Sequence, residues 1–314
     1  MSDGSPDFAE RLSENTLSVF IVISSAAWGL YWFPLRGIEA TGMSGAWSVV
    51  FFNACPLVVL LPLLLFKAKM LVGTFSSTLL VSVLVGSAFT CYANALIETT
   101  VIRATMLFYL TPVWSTLIGV IWLSEPLTRA RIISIFVAFA GLFLLLSNGD
   151  STNTPLNIGD FYGLLAGIFW AFGLSMLNRY PTIPIAPLTA LTFVSTTVLS
   201  VLFALLLGSE VLPDAGIIKE ALPTALIWSI FLLPCFFVIF RISQILFPGR
   251  VGILTMSEVV VAVISASILL PDEAMGWVQW IGAIAIIAAG LIEVVFGYTS
   301  SHDISTARME NESG

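Results

Sequence analysis

The sequence predicts an all-α membrane protein with ten transmembrane helices arranged as two inverted five-helix repeats. Three observations indicate this fold: the composition, an internal repeat, and the distribution of Lys and Arg. Of the 314 residues, 58% are hydrophobic and 10% are charged, whereas a soluble domain carries about 25% charged residues. The mean hydropathy of +1.02 agrees with a chain that lies almost entirely in the bilayer, and no soluble domain is expected.

The internal repeat relates residues 103–146 to residues 250–295. An offset of 147 residues places Arg103 on Arg250 and Thr111 on Glu258, with one extra residue needed before the second turn. Each copy starts with an arginine, continues through about twenty apolar residues to a Glu-containing turn, and then crosses again. A repeat of this length indicates a duplicated membrane unit.

Taken in order, each predicted helix is an apolar run of roughly 20 residues, the length that crosses ~30 Å of hydrocarbon. The expected helices are 17–37, 45–66, 76–97, 102–123, 128–147, 159–178, 186–207, 222–245, 250–270 and 276–297. Charge, Gly or Pro separates most of them, as at Lys67-Ala68-Lys69, Ser124-Glu125-Pro126 and Pro271-Asp272-Glu273.

The domain boundaries follow from the polar stretches. Residues 148–158 contain the most polar interior sequence, so we expect them to link a first repeat, 17–147, to a second, 159–297. Residues 1–16 are acidic and lack the basic segment of a signal peptide. We therefore expect 1–16 and 298–314 to be cytoplasmic tails.

The basic residues predict the orientation. With ten crossings, nine Lys and Arg fall on the side of both termini and three fall on the other side. The positive-inside rule places the more basic side, and therefore both termini, in the cytoplasm. Since each half has an odd number of crossings, the second half is inverted relative to the first, which is typical of secondary transporters with a solute site near the midplane.

One carboxylate is predicted to lie deep in the membrane. Glu258 follows Arg250 by eight residues, about 12 Å along a helix, and a carboxylate at the helix centre costs about 2.5–3.5 kcal/mol. Its functional interpretation is a protonatable group that couples transport to protons or binds a substrate amine. Its structural interpretation is a partner for Arg241, near the cytoplasmic end of the eighth helix.

Aromatic and polar residues at similar depth form a second candidate group. Three tryptophans fall about eleven residues into their helices, and hydroxyl and amide groups lie on the third and fourth helices. Such a lining suits a solute with an apolar or aromatic side chain, although each residue also fits simple core packing. The predicted substrate-binding residues are Trp28, Tyr92, Asn94, Tyr109, Thr111, Trp114, Trp170 and Glu258.

Prolines inside crossings are candidates for gating, because each removes a backbone hydrogen bond and kinks its helix. We single out Pro112 and Pro234, for which a static bend is the alternative. Small residues at GxxxG spacing, such as Gly163 and Gly167, indicate close helix packing.

Several function classes are disfavoured by the sequence. No GxxxxGK[ST] motif is present to bind nucleotide phosphates, and no potassium-filter sequence or arginine-rich voltage helix occurs. The three cysteines have no CxxC spacing, and His302 in the tail is the one histidine. We expect no metal, no cofactor, no nucleic-acid partner and no enzymatic activity. The oligomeric state is not specified, and a monomer is compatible with the sequence.

The repeat and its turns resemble the EamA-type exporters of the drug/metabolite transporter superfamily. The residues that carry the resemblance are Trp28-Gly29 in the first helix, Thr111-Pro112 and Glu258-Val259 at matched positions, and Ser124-Glu125 and Asp272-Glu273 in the turns. The overall pattern is most similar to the bacterial aromatic amino acid exporters. The resemblance implies export of aromatic and other neutral amino acids across the bacterial inner membrane, by alternating access through a central cavity.

Three alternative functions stay open as hypotheses. A carrier of phosphorylated or nucleotide-linked solutes needs cations deep in its cavity, whereas Arg103 and Arg250 lie near helix starts. A drug-cation antiporter needs an acid in the first helix, and no acid occurs between Glu14 and Glu39. A membrane sensor or assembly subunit without a transport cycle is a further alternative.

Overall fold

The protein is helical throughout the part that the structure describes. The structure, a computed structural model, describes residues 12–43, 45–123, 127–146, 156–207, 212–270 and, with gaps, 276–296. Its α-helices are α1 (Glu14–Trp28), α2 (Trp32–Glu39), α3 (Gly45–Ala54), α4 (Leu57–Lys67), α5 (Phe75–Glu98), α6 (Val101–Phe108), α7 (Thr111–Leu123), α8 (Arg129–Leu146), α9 (Ile158–Arg179), α10 (Ile185–Leu207), α11 (Ala215–Ser243), α12 (Pro248–Leu254) and α13 (Ser257–Leu269). A 3₁₀ turn, Ala68–Leu71, follows α4, and the described residues between 277 and 296 are also helical.

Six of the described spans are long and apolar enough to cross a membrane: Glu14–Glu39, Phe75–Glu98, Ile158–Arg179, Ile185–Leu206, Ala215–Ser243 and Pro248–Leu269. The pair α3 and α4, bent by 43°, adds a seventh if it forms one broken span. The chain is therefore a multi-pass membrane protein. The count of ten crossings stays a prediction, and the turns at 124–126 and 271–275, the linker residues 148–155, and most of both tails lie outside the described residues.

Four segments predicted as single helices are interrupted in the structure. The interruptions lie at 29–31, 55–56, 109–110 and 255–256. Proline explains two of them, because Pro56 is the N-cap of α4 and Pro112 is the second residue of α7, where its missing N–H costs nothing. By contrast, α11 continues through Pro234 from Ala215 to Ser243.

The interruption at 255–256 contains no proline and is explained by hydroxyl groups. Thr255 Oγ1 donates to the carbonyl of Gly252 at 3.0 Å, and Ser257 Oγ donates to the carbonyl of Leu254 at 3.1 Å. Side-chain hydroxyls that bond nearby carbonyls compete with the helical hydrogen bonds of the backbone. At the matching interruption, Thr111 Oγ1 donates to the carbonyl of Phe108 in the same way.

The eighth predicted helix, 222–245, begins earlier than expected. Asp214 is the N-cap of α11, and its Oδ1 accepts from the backbone N–H groups of Gly216 at 2.7 Å and Ile217 at 2.9 Å. An aspartate in this position satisfies amides that have no helical partner. Lys219 consequently lies inside the helix rather than in a loop.

Glycines allow the helices to approach each other closely. A Cβ on Gly29 would lie 2.5 Å from the carbonyl oxygen of Glu258, so the end of α1 contacts the backbone of α13. A Cβ on Gly167 would lie 2.5 Å from the carbonyl oxygen of Phe108, and one on Gly163 would lie 3.1 Å from that of Ala104. The GxxxG pair of α9 therefore packs against α6, as small residues do in membranes.

Candidate functional site

The interrupted helices of the two repeats contact each other at their interruptions. The hydroxyl of Tyr109, at the end of α6, donates to the carbonyl of Thr255, at the end of α12, at 3.0 Å. A Cβ on Gly252 would lie 3.2 Å from Pro112 Cα and 3.2 Å from Ser115 Cβ. Because residue 109 contacts 255 and residue 112 contacts 252, the two segments cross in antiparallel directions.

A cluster of buried aromatic rings lies beside this crossing. The ring of Trp28 stacks on Tyr31 with centroids 4.6 Å apart, and it contacts Phe236 edge-on at 4.2 Å and Phe89 at 5.6 Å. Phe89 in turn contacts Trp170 at 5.6 Å. We call Trp28, Tyr31, Phe89, Trp170 and Phe236 the aromatic cluster; all five are at most 6% exposed.

A small cavity of about 10 Å³, with room for roughly one water molecule, lies beside Trp28. Its lining consists of Trp28, Tyr31, Phe52, Asn53, Pro56, Phe193, Ser229, Leu232 and Leu233. The polar groups of the lining are bonded to the protein: Asn53 Nδ2 donates to Val49 O at 2.8 Å and to Tyr31 Oη at 3.2 Å, and Ser229 Oγ donates to Ala225 O at 2.6 Å. The cavity is therefore mainly apolar, and among the residues that the structure describes no Lys, Arg, Asp or Glu lines it.

Glu258 is buried at the start of α13, at 5% exposure. Its Oε1 has no hydrogen-bond partner, and no described Lys or Arg forms an ion pair with it. The hydroxyls of Tyr92 and Tyr109 approach the carboxyl group. Arg241 donates to Gln244 Oε1 at 2.9 Å instead, so the pairing of Arg241 with Glu258 expected under the structural interpretation does not form.

Tyr92 and Tyr109 connect this carboxyl group to the aromatic rings. The ring of Tyr92 lies 4.6 Å from that of Phe108 and 6.3 Å from that of Tyr31, and its hydroxyl is 3.2 Å from Thr105 Oγ1. The ring of Tyr109 lies 5.0 Å from that of Phe108. Glu258 therefore lies beside the aromatic cluster without lining the cavity.

The remaining predicted site residues bond locally or lie apart. Asn94 Nδ2 donates to the carbonyl of Thr90 in its own helix at 2.7 Å. Besides its bond to Phe108, Thr111 Oγ1 lies 3.4 Å from the carbonyl of Gly167. Trp114 is half-buried, with an indole N–H that has no hydrogen-bond partner. Of the predicted substrate-binding residues, Trp28 lines the cavity and the other seven do not.

Sequence reasoning missed part of this site. Tyr31 lies three residues after Trp28, and Phe89 lies three residues before Tyr92, so helical spacing places each beside a predicted site residue. Phe236 and Asn53 carry no such local signal, because their neighbours in space come from other helices. No group of three His, Cys, Asp or Glu suited to a metal occurs in the described ranges.

Comparison with known proteins gives one family and one fold. The model of the EamA-like transporter family matches twice, over residues 16–147 and 157–294. A crystal structure of another protein, 14% identical in sequence, superposes with a TM-score of 0.67 over 90% of this chain and 96% of that chain. No curated protein matches the sequence significantly.

Proposed function

This chain belongs to the EamA-like transporter family, and from that premise we propose that it exports aromatic and other neutral amino acids, or closely related metabolites. The family consists of membrane transporters rather than enzymes, and a small-molecule exporter is consistent with this membership. The substrate class and the transport mechanism are the proposal.

The observation that carries the proposal is the apolar, aromatic lining of the small cavity beside Trp28, which has to widen to admit a solute. Its lining combines Trp28 and Tyr31 from the first family match with Phe193 and Leu232 from the second, so it lies between the two halves. Ring stacking recognises an aromatic side chain through contacts worth about 0.5–1.5 kcal/mol each. A cavity at the interface of two repeats is also the expected solute site of a secondary transporter.

The transport cycle we propose is alternating access by two inverted five-helix repeats, 17–147 and 159–297, joined by the linker 148–158. The antiparallel crossing at Tyr109 and Thr255 supports the inversion, and so do interruptions that lie at closely matched places in the two repeats. We further propose ten crossings in the bacterial inner membrane, with the tails 1–16 and 298–314 in the cytoplasm.

Glu258 is proposed as the proton-coupling group. A buried carboxyl group with an unbonded oxygen and no described cation beside it is costly as an anion. Its position at a helix interruption beside two tyrosine hydroxyls allows its protonation to affect the contact between the halves. Facilitated diffusion is the alternative if this group does not titrate during transport.

A carrier of phosphorylated solutes is less compatible with the site. Phosphate recognition relies on Arg or Lys in the binding cavity, whereas the described lining of this cavity contains neither. Arg103 and Arg250 are engaged with Asp160 and Glu14.

The test is flux in proteoliposomes that contain the purified chain. We expect counterflow of labelled tryptophan or phenylalanine, with weaker flux of methionine and threonine. Trp28→Leu should raise KM for the aromatic substrates about three- to tenfold through lost ring contacts. Trp122→Leu is the matched control, because Trp122 is 56% exposed. Folded protein that carries none of the four amino acids would refute the substrate class, and binding without counterflow would favour a sensor.

A further inference from the structure

Two buried arginines occupy the same position in the two repeats. Arg103 and Arg250 are related by the offset of 147 residues, and their side chains are 10% and 5% exposed. A buried guanidinium requires an anionic partner. Each arginine meets an acid that comes from the opposite half of the chain.

Arg103 pairs with Asp160 in a geometry with two contacts. Arg103 Nε lies 2.7 Å from Asp160 Oδ1, and Arg103 Nη2 donates to Oδ2 at 2.7 Å. Asp160 is the third residue of α9 and also accepts from the backbone N–H of Asn157 in a capping box. This pair, the Asp160 ion pair, joins the start of α6 to the start of α9.

Arg250 pairs with Glu14 in an equivalent arrangement. Arg250 Nη1 donates to Glu14 Oε2 at 2.8 Å, and Nη2 lies 3.4 Å from Asn15 Oδ1. Glu14 is the first residue of α1, just as Asp160 lies in the first turn of α9. This pair, the Glu14 ion pair, joins the start of α12 to the start of α1.

The two ion pairs lie on opposite sides of the helix crossing. Arg103 precedes Tyr109 by six residues, and Arg250 precedes Thr255 by five, while Tyr109 and Thr255 touch in antiparallel segments. At 1.5 Å per residue, each arginine is about 8–9 Å from the crossing in opposite directions. Both ion pairs are formed in this structure.

We infer that the Asp160 and Glu14 ion pairs are the two gates of the transporter, and that each breaks when its own end opens. This inference rests on the proposed transport function. Each ion pair joins the arginine of one repeat to the first turn of a helix from the other repeat. The two repeats therefore cannot separate at that end unless the ion pair breaks. Repeat-related parts at opposite ends are what alternating access requires.

The two gates differ in strength. Asp160 is 6% exposed and makes two contacts with its arginine, whereas Glu14 is 47% exposed. A solvated ion pair is weaker and more easily screened by salt than a buried pair. The Glu14 end therefore opens more often than the Asp160 end, and high salt increases that bias.

The experiment measures thiol labelling at each end in detergent-solubilised full-length protein. The background has Cys55, Cys91 and Cys235 changed to alanine. The probes are the repeat-matched substitutions Ala104→Cys and Val251→Cys, whose native residues are both 0% exposed. Each probe neighbours the arginine of one gate, and a polar thiol reagent reports opening of that end.

The variants are conservative changes of the two acids. Asp160→Asn should speed labelling at Ala104→Cys about tenfold and slow it at Val251→Cys, because populations shift between the two ends. Glu14→Gln should produce the reverse pattern with smaller changes. Opposite signs at the two probes separate gating from unfolding, which would speed both.

Two results overturn the inference. The first is that neither Asp160→Asn nor Glu14→Gln changes the labelling rate at either probe. The second is parallel acceleration at both probes that persists in the double variant Arg103→Leu with Asp160→Leu, which removes both charges of the ion pair. Since labelling needs no substrate, the outcome is independent of whether aromatic amino acids are transported, and a failed flux assay is distinguishable from failed gating.

Discussion

The contact between α1 and α13 depends on the absence of a side chain at Gly29. An added Cβ would lie 2.5 Å from the carbonyl oxygen of Glu258, 2.9 Å from Val261 Cβ and 3.0 Å from the backbone nitrogen of Ala262. Two of these atoms belong to the backbone, which cannot rotate away as a long side chain can. Gly29→Ala therefore forces the two helices apart and moves the residue that carries the proposed coupling carboxylate.

The expected cost follows from these distances. The closest contact is about 0.9 Å shorter than ordinary van der Waals contact near 3.4 Å, and overpacking of this kind costs about 1–3 kcal/mol. Gly29 has φ −56° and ψ −16°, so alanine adopts the backbone conformation without strain. The whole effect therefore comes from the helix contact, and it lowers Tm by about 2–5 °C.

The assay is thermal unfolding in detergent, followed by intrinsic tryptophan fluorescence, with Gly37→Ala as the matched control. Gly37 lies in the same membrane span, and its added Cβ would meet only Thr224 Cγ2 at 3.6 Å, an ordinary contact. The control should unfold at the wild-type temperature or slightly higher, since alanine favours the helix by roughly 0.5–1 kcal/mol. Equal Tm values for the two variants would refute the reasoning.

Three further predictions concern residues at or next to the crossing of the interrupted helices. Gly167→Ala places a Cβ 2.5 Å from the carbonyl oxygen of Phe108 and should lower Tm by a similar amount; an unchanged Tm would contradict the close packing. Tyr109→Phe removes the hydrogen bond to the carbonyl of Thr255 and should cost about 1–3 kcal/mol in unfolding measurements, an effect that wild-type stability would exclude. Glu258→Gln should abolish flux driven by a pH gradient and leave downhill counterflow; retained pH-driven flux would remove Glu258 from coupling.

The sequence predicted well whatever depends on local pattern. Apolar runs of membrane length located the six long spans that the structure describes, and the repeat of Arg103 at Arg250 anticipated the two family matches. Glycine spacing in α9 indicated a helix contact that the structure shows against α6. The N-cap of α11, Asp214, lies eight residues before the predicted start of that helix at 222.

The aromatic cluster was less predictable, because hydrophobicity does not distinguish the two faces of a membrane helix. In a soluble protein the polar face marks the outside, but in lipid both the interior and the exterior are apolar. Phe231 and Phe236 occur in one continuous apolar run of α11, yet Phe231 is 48% exposed and Phe236 is 1% exposed. Tyr31 was not predicted although it lies three residues after Trp28, and Phe236 has no comparable local signal.

By itself, then, the sequence determined a duplicated, multi-pass helical membrane protein with one deep carboxylate and two matched arginines. Tertiary structure alone decided where the helices break and which partners these charges take: Glu14 for Arg250, Asp160 for Arg103, and no cation for Glu258 among the residues that the structure describes. The physical reason is the separation along the chain over which each kind of interaction acts. Propensity and periodicity act over a few residues, whereas an ion pair between residues 14 and 250 depends on how whole helices pack.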